Sequence, residues 1–90
     1  MTEDIETRRK RLRFRSWHRG TKELDLLLGG FADRALPNMD AEALDRFETL
    51  LEVPEPLIYA WLTGQSAPPP EYDHAVTRQL LAFKFAPERP

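Results

Sequence analysis

Apolar residues along this 90-residue chain recur at intervals of three and four, and nowhere do they alternate with polar ones as a half-buried strand requires. The clearest stripe is Leu24, Leu27, Leu28, Phe31 and Ala35, which predicts a helix from about Thr21 to Leu36. Leu44, Phe47, Leu50 and Leu51 predict another over 41–52, with Asp40 as its N-cap. Pro54 stops that helix. Pro56 opens a short one, "PLIYAWLTG", with Leu57, Ile58, Trp61 and Leu62 as its apolar face and Gly64 closing it. The run "APPP" at 67–70 reads as a stiff connector. Tyr72, Val76, Leu80 and Phe83 then place a last helix over 71–84. The first helix, over 4–18, has a different character. Leu12, Phe14 and Trp17 are its apolar residues, and Arg8, Arg9, Lys10, Arg11, Arg13 and Arg15 fill the rest. The expectation is an all-α fold, a small five-helix bundle. It forms one helical domain over 1–90, with an ordered core over about 5–85 and frayed termini.

Two junctions stand out against this pattern. Gly29-Gly30 interrupts the leucine-rich helix at a cost in propensity, which implies that another helix comes close there. Arg19-Gly20-Thr21-Lys22-Glu23 joins the first two helices. Gly20 suits a turn after a helix, Thr21 suits an N-cap, and Glu23 suits a first helical turn, where Arg19 could pair with it. The same corner puts a cation, a backbone without a side chain and a carboxylate on one loop, and loops held by rigid elements often carry function. The local chemistry leaves both roles open.

Charge sharpens the picture. The net charge of −2 hides a split: residues 1–22 hold eight Lys/Arg against three acids, and residues 23–73 hold two against eleven. The basic run 8–15 could grip phosphates, with Phe14 and Trp17 stacking on bases, or it could dock on an acidic protein. The strongly acidic remainder would repel nucleic acid, so the docking face is favoured. The chain lacks cysteine, and no apolar run reaches the roughly 20 residues of a membrane helix. The basic N-terminus has no apolar core segment, so no secretory signal is expected. His18 and His74 stand in no metal-ligand spacing, and no phosphate loop or dinucleotide fingerprint is present. These absences argue against an autonomous enzyme.

The stretches "RFRSWHRGTKELDLLLGGFAD" and "DAEALDRFETLLEVPEPLIYAWLTGQSAPP" together resemble the SdhE family, the succinate dehydrogenase assembly factors also called flavinators. The family pattern joins a basic first helix and an R-G-x-x-E-L-D motif to a later aromatic segment. Here these are Arg19, Gly20, Glu23, Leu24 and Asp25, then Phe47, Leu50, Leu51, Glu55, Pro56, Tyr59, Trp61, Leu62 and Gly64. Trp17-His18 departs from the smaller or basic residues that many members have there. The resemblance implies a five-helix bundle that is an assembly chaperone and not an enzyme. Its partner would be the flavoprotein subunit of succinate dehydrogenase, or of fumarate reductase, to which it promotes covalent attachment of FAD. The linking histidine and the FAD would both be the partner's, and this chain would stably bind no cofactor and no metal. The implied contact set is Arg19, Gly20 and Glu23 at the corner, with His18 and Asp25 beside them. Arg8, Arg11 and Arg15 would steer from the basic helix. Asp25 could instead hydrogen-bond locally. A free monomer is expected, in the bacterial cytoplasm or the mitochondrial matrix. The rival readings are an antitoxin-like or nucleic-acid-binding regulator using the basic helix, and a direct FAD carrier.

Overall fold

The computed structural model describes residues 3–83. It contains five α-helices: α1 (Ile5–Trp17), α2 (Lys22–Ala35), α3 (Ala41–Leu51), α4 (Glu55–Leu62) and α5 (Ala75–Ala82). Short 3-10 turns occupy Leu36–Asn38 and Pro70–Tyr72, and no strand occurs among the described residues. The expected all-α five-helix arrangement is therefore present. The expected end of the last helix at 84 and the frayed tail lie outside the described residues.

Four of the five helices, all but α4, start where a side chain takes up one of their free N–H groups. Asp4 accepts from Glu6 N, Thr21 Oγ1 from Leu24 N, and Asp40 from Ala43 N. Pro54 precedes α4, and Pro56 sits in its first turn, where a missing N–H costs nothing. Gly64 leaves α4 at φ +79°, as a left-handed C-terminal residue does. The last helix starts at Ala75, later than the apolar spacing suggests. His74 is extended, and its ring Nδ1 accepts from Thr77 N, so the helix begins after that cap. Tyr72 lies on the preceding 3-10 turn and packs on Trp61, with ring centroids 5.3 Å apart.

The core runs through all five helices. Leu28, Leu44, Phe47, Leu50 and Ile58 are fully buried, and Phe31 meets both Phe47 and Phe83. Met39 and Val53, in the connections, are buried as well. Leu57, expected on the inward face of its helix, turns out to be surface at 52% exposed, and Phe14 of α1 is 64% exposed. In both helices the helical phase gives the inward position to a neighbour, Leu12 and Ser16 in α1 and Ile58 and Trp61 in α4.

α1 has only one large apolar side chain fully inside, Leu12, yet it packs on both α2 and α3. Charge pairing supplies much of the rest. Arg8, Arg11 and Arg15 recur at three- and four-residue steps along α1, and Asp45, Glu48 and Glu52 recur in the same way along α3. Arg8 bonds Asp45 at 2.6 Å and Glu48 at 2.9 Å, Arg11 bonds Glu48 at 2.9 Å, and Arg15 bonds Glu52 at 3.1 Å. Arg11 also holds Glu3 at 2.8 Å. The arginine face expected to meet a partner is thus turned onto α3. Acids and bases far apart in sequence neutralise one another within the fold.

On the other side of α1, Trp17 lies over Gly29 of α2. A Cβ built on Gly29 would stand 2.1 Å from Trp17 Cδ2, so the glycine is what lets the indole settle there. The close approach expected at Gly29-Gly30 is made by this side chain. Trp17 Nε1 donates to Asp33 at 3.3 Å.

Two predictions follow from this packing. Gly29→Ala gains helix propensity but meets the indole, and overpacking of that kind costs about 1–3 kcal/mol. Thermal melting should show a clear loss for Gly29→Ala. It should also show a smaller loss for Trp17→Ala/Gly29→Ala than the two single changes would sum to. The second concerns acid. Hydrogen bonds from Arg11 and then Arg8 hold the Glu48 carboxyl below its ordinary range. A carboxylate depressed in the folded state stabilises fully above its unfolded pKa and loses that contribution as pH falls through its folded pKa. His74, pushed down mainly by burial and then by Arg46, works in a higher window: the unfolded chain takes the proton first, so stability falls as pH drops below about 6.5. Urea midpoints between pH 8 and pH 3 should therefore decline in two stages. Glu48→Gln should flatten the lower stage, and His74→Asn the upper one.

Candidate functional site

The corner between α1 and α2 is built around one arginine. The backbone N–H of Arg19 donates to Asp25 Oδ1 at 2.6 Å, which ties the turn to the first turn of α2. Its guanidinium reaches the end of α3. Nη1 donates to the Leu51 carbonyl, and Nη2 donates to the Val53 carbonyl at 3.0 Å. The last carbonyls of a helix have no partner inside it, and Arg19 supplies donors at the end of α3. Burial pulls the Arg19 pKa below its ordinary value, while the nearby Glu55 charge acts in the opposite sense. The group stays a cation, since an arginine does not deprotonate in a protein.

This clamp brings the α1–α2 corner onto the α3–α4 corner, with consequences for the next residues on each side. Gly20 has φ +118°, a conformation that favours glycine, and a Cβ there would stand 3.2 Å from Glu55 Oε2. One turn along α4 from Glu55, the Tyr59 hydroxyl donates to Glu23 Oε2 at 3.5 Å. Between them lies an open groove of about 280 Å³ lined by Thr21, Glu23, Leu24, Glu55, Pro56 and Tyr59. Leu24, Pro56 and the Tyr59 ring supply apolar wall, and Glu23 and Glu55 supply negative charge. Neither carboxylate forms a salt bridge among the described residues.

The structure divides the residues singled out in the sequence. Gly20 and Glu23 lie at this groove. Arg19 does not pair with Glu23, as local spacing suggested. Its side chain is drawn the other way because two helix-end carbonyls offer a buried site that an exposed carboxylate does not match. Asp25 hydrogen-bonds locally. His18 stacks on Phe14, with centroids 3.9 Å apart, and its Nδ1 lies 2.7 Å from the Phe14 carbonyl. Arg8, Arg11 and Arg15 lie on α3 as described. Glu55 and Tyr59 were quoted in the sequence only as part of a family pattern, yet they form one wall of the groove. Their four-residue separation on a helix was the available signal, because it places both on one face. Among the described residues no group of three or more His, Cys, Asp or Glu is arranged to hold a metal ion. No helix among the described residues is long and apolar enough to cross a membrane. The arrangement is suited to recognition: two carboxylates can accept hydrogen bonds from incoming donors, and Gly20 lets another backbone come close.

Comparison with known proteins agrees with the resemblance read from the motifs. A family described as flavinator of succinate dehydrogenase matches residues 10–84. The FAD assembly factor SdhE of Acetobacter pasteurianus is 39% identical over 79 residues, covering 88% of this chain and 72% of that protein. The mitochondrial succinate dehydrogenase assembly factor 2 of Cryptococcus neoformans is 43% identical over 67 residues, covering 74% of this chain and 38% of its own length. The corresponding mitochondrial factor 2-A of Drosophila mojavensis is 39% identical over 80 residues, covering 87% and 51%. The chain thus spans about half or less of these two mitochondrial relatives. With the matched region running from the basic helix through α5, the chain belongs to the family of succinate dehydrogenase flavinators.

Proposed function

We propose that this protein is an assembly factor that binds the flavoprotein subunit of succinate dehydrogenase and promotes covalent attachment of FAD to it. One observation carries the reading. The two motif segments, about Arg19–Asp25 and Glu55–Gly64, meet at a single groove whose carboxylates form no salt bridge among the described residues. Family membership and the names of the relatives support the same client.

In this reading the new bond joins groups that the flavoprotein holds, its histidine and its FAD. This chain contributes by positioning. Glu23 and Glu55 receive donors from the client, Tyr59 orients Glu23, and Gly20 allows the client's backbone to approach. Arg19 and Asp25 act one step back, because they fix the turn that aims Gly20 and Glu23. Holding a reactive geometry in place can account for a large share of a rate, and it requires no reactive group on the chaperone itself. The chain is accordingly a chaperone and not an enzyme. It acts in the compartment where its client acquires FAD, the cytoplasm of a bacterium or the matrix of a mitochondrion. The nucleic-acid reading loses ground because Arg8, Arg11 and Arg15, which it would use, are paired with acids of this same chain.

Glu23→Gln and Arg19→Ala separate contact from positioning. Glu23 is exposed, so Glu23→Gln should leave the melting temperature within a degree or two while covalent flavin on a co-expressed flavoprotein subunit falls severalfold. Arg19→Ala should lower covalent flavin and also stability, by about 1–3 kcal/mol, since it strips donors from buried helix-end carbonyls. The readouts are thermal melting and flavin fluorescence of the denatured client band. Equal fluorescence with and without this chain would discard the proposal.

A further inference from the structure

The exposed face of α1 carries an ordered aromatic surface that the groove does not use. Phe14 is the most exposed of the large hydrophobic residues among those described. It is nonetheless held in place. The His18 ring stacks on it at 3.9 Å with an interplanar angle of 21°, and His18 Nδ1 is bound to the Phe14 carbonyl at 2.7 Å. That bond makes Nδ1 the protonated nitrogen and turns Nε2 outward. Trp17 stands beside the pair, fixed by Gly29 below and Asp33 at its edge. With Lys10 and Arg13, these rings line a depression of about 380 Å³. Arg13 is paired with Asp33, and Lys10 forms no salt bridge among the described residues.

We propose that Phe14, Trp17 and His18 form a second docking surface, which takes an apolar side chain flanked by a carboxylate on the same flavoprotein client. The proposal rests on the function argued above. Three observations support it. The rings are ordered before binding, so little side-chain entropy is lost on contact. The rim is cationic: Lys10 is exposed there and forms no salt bridge among the described residues, so an acidic neighbour fits and a basic one does not. The surface also lies close to the groove along the chain, since only Arg19 separates His18 from Gly20. A nucleic acid fits less well. It needs several free cations along a backbone, and here the arginines are already engaged.

The test uses the full chain and the purified flavoprotein subunit lacking covalent flavin. Binding is measured by titration calorimetry for wild type, Phe14→Ala, Phe14→Glu, Lys10→Glu and Glu23→Gln, with circular dichroism and melting as controls for folding. Phe14→Ala should weaken binding about tenfold or more, as removal of an aromatic anchor does. Phe14→Glu should weaken it further. Lys10→Glu should weaken it at low salt and less at high salt. All should melt close to wild type, since both side chains point outward. If Phe14→Ala and Phe14→Glu bind like wild type while Glu23→Gln does not, the second surface is refuted and the function stands. If wild type itself fails to bind, both fall. Loss of binding to a fluorescent single-stranded oligonucleotide in Phe14→Glu, with flavoprotein binding unchanged, would also overturn the proposal by assigning the surface to nucleic acid.

Discussion

Everything that gives this small bundle a recognisable site passes through the hydrogen bonds of Arg19. Its backbone N–H fixes the start of α2 through Asp25, and its guanidinium fixes the end of α3 through Leu51 and Val53. A lysine could not hold two carbonyls in one plane as a guanidinium fork does. Because this one side chain spans both corners, Gly20 faces Glu55, and Glu23 comes within reach of Tyr59. The arginine that looks like a surface contact in a linear motif is an internal strut. In the proposed function the contact chemistry lies with its neighbours.

The electrostatic design has the same inward character. A chain basic at one end and acidic in the middle suggests a molecule that presents opposite poles to its surroundings. Here the poles close on each other along α1 and α3, with Glu48 shared between Arg8 and Arg11. This explains how a helix with a single large buried apolar residue stays docked. The stems of the arginines cover apolar surface while their heads find carboxylates. Among the described residues, the charges left outside these pairs include the two groove carboxylates, Lys10 beside the aromatic rings, Lys22, Arg34 and Glu71.

Much of this was legible in the chain. The five helices, the caps Thr21 and Asp40, the stop at Pro54 and the turn at Gly64 follow from spacing and from residue chemistry that acts within a few positions. The glycine at 29 correctly signalled a close approach. What could not be read was set by partners distant in sequence. Arg19 chose carbonyls more than thirty residues away over the carboxylate four residues on. Arg8, Arg11 and Arg15 chose α3, although their matched spacing with Asp45, Glu48 and Glu52 was available as a hint. Leu57 was placed inside because apolar content alone does not say which of two adjacent positions wins the inward phase. His74 delayed the last helix because a histidine ring nitrogen can cap, a role more often given to an oxygen.

The groove has one further property. Its walls come from residues 36 positions apart, since Glu23 meets Tyr59 only across the folded core. A chain emerging N-terminus first exposes Arg19, Gly20 and Glu23 well before α4 exists, and at that stage nothing holds them in their final relation. The groove therefore forms only once α4 has folded onto α2, and fragments that end before α4 carry the linear motif but not the groove.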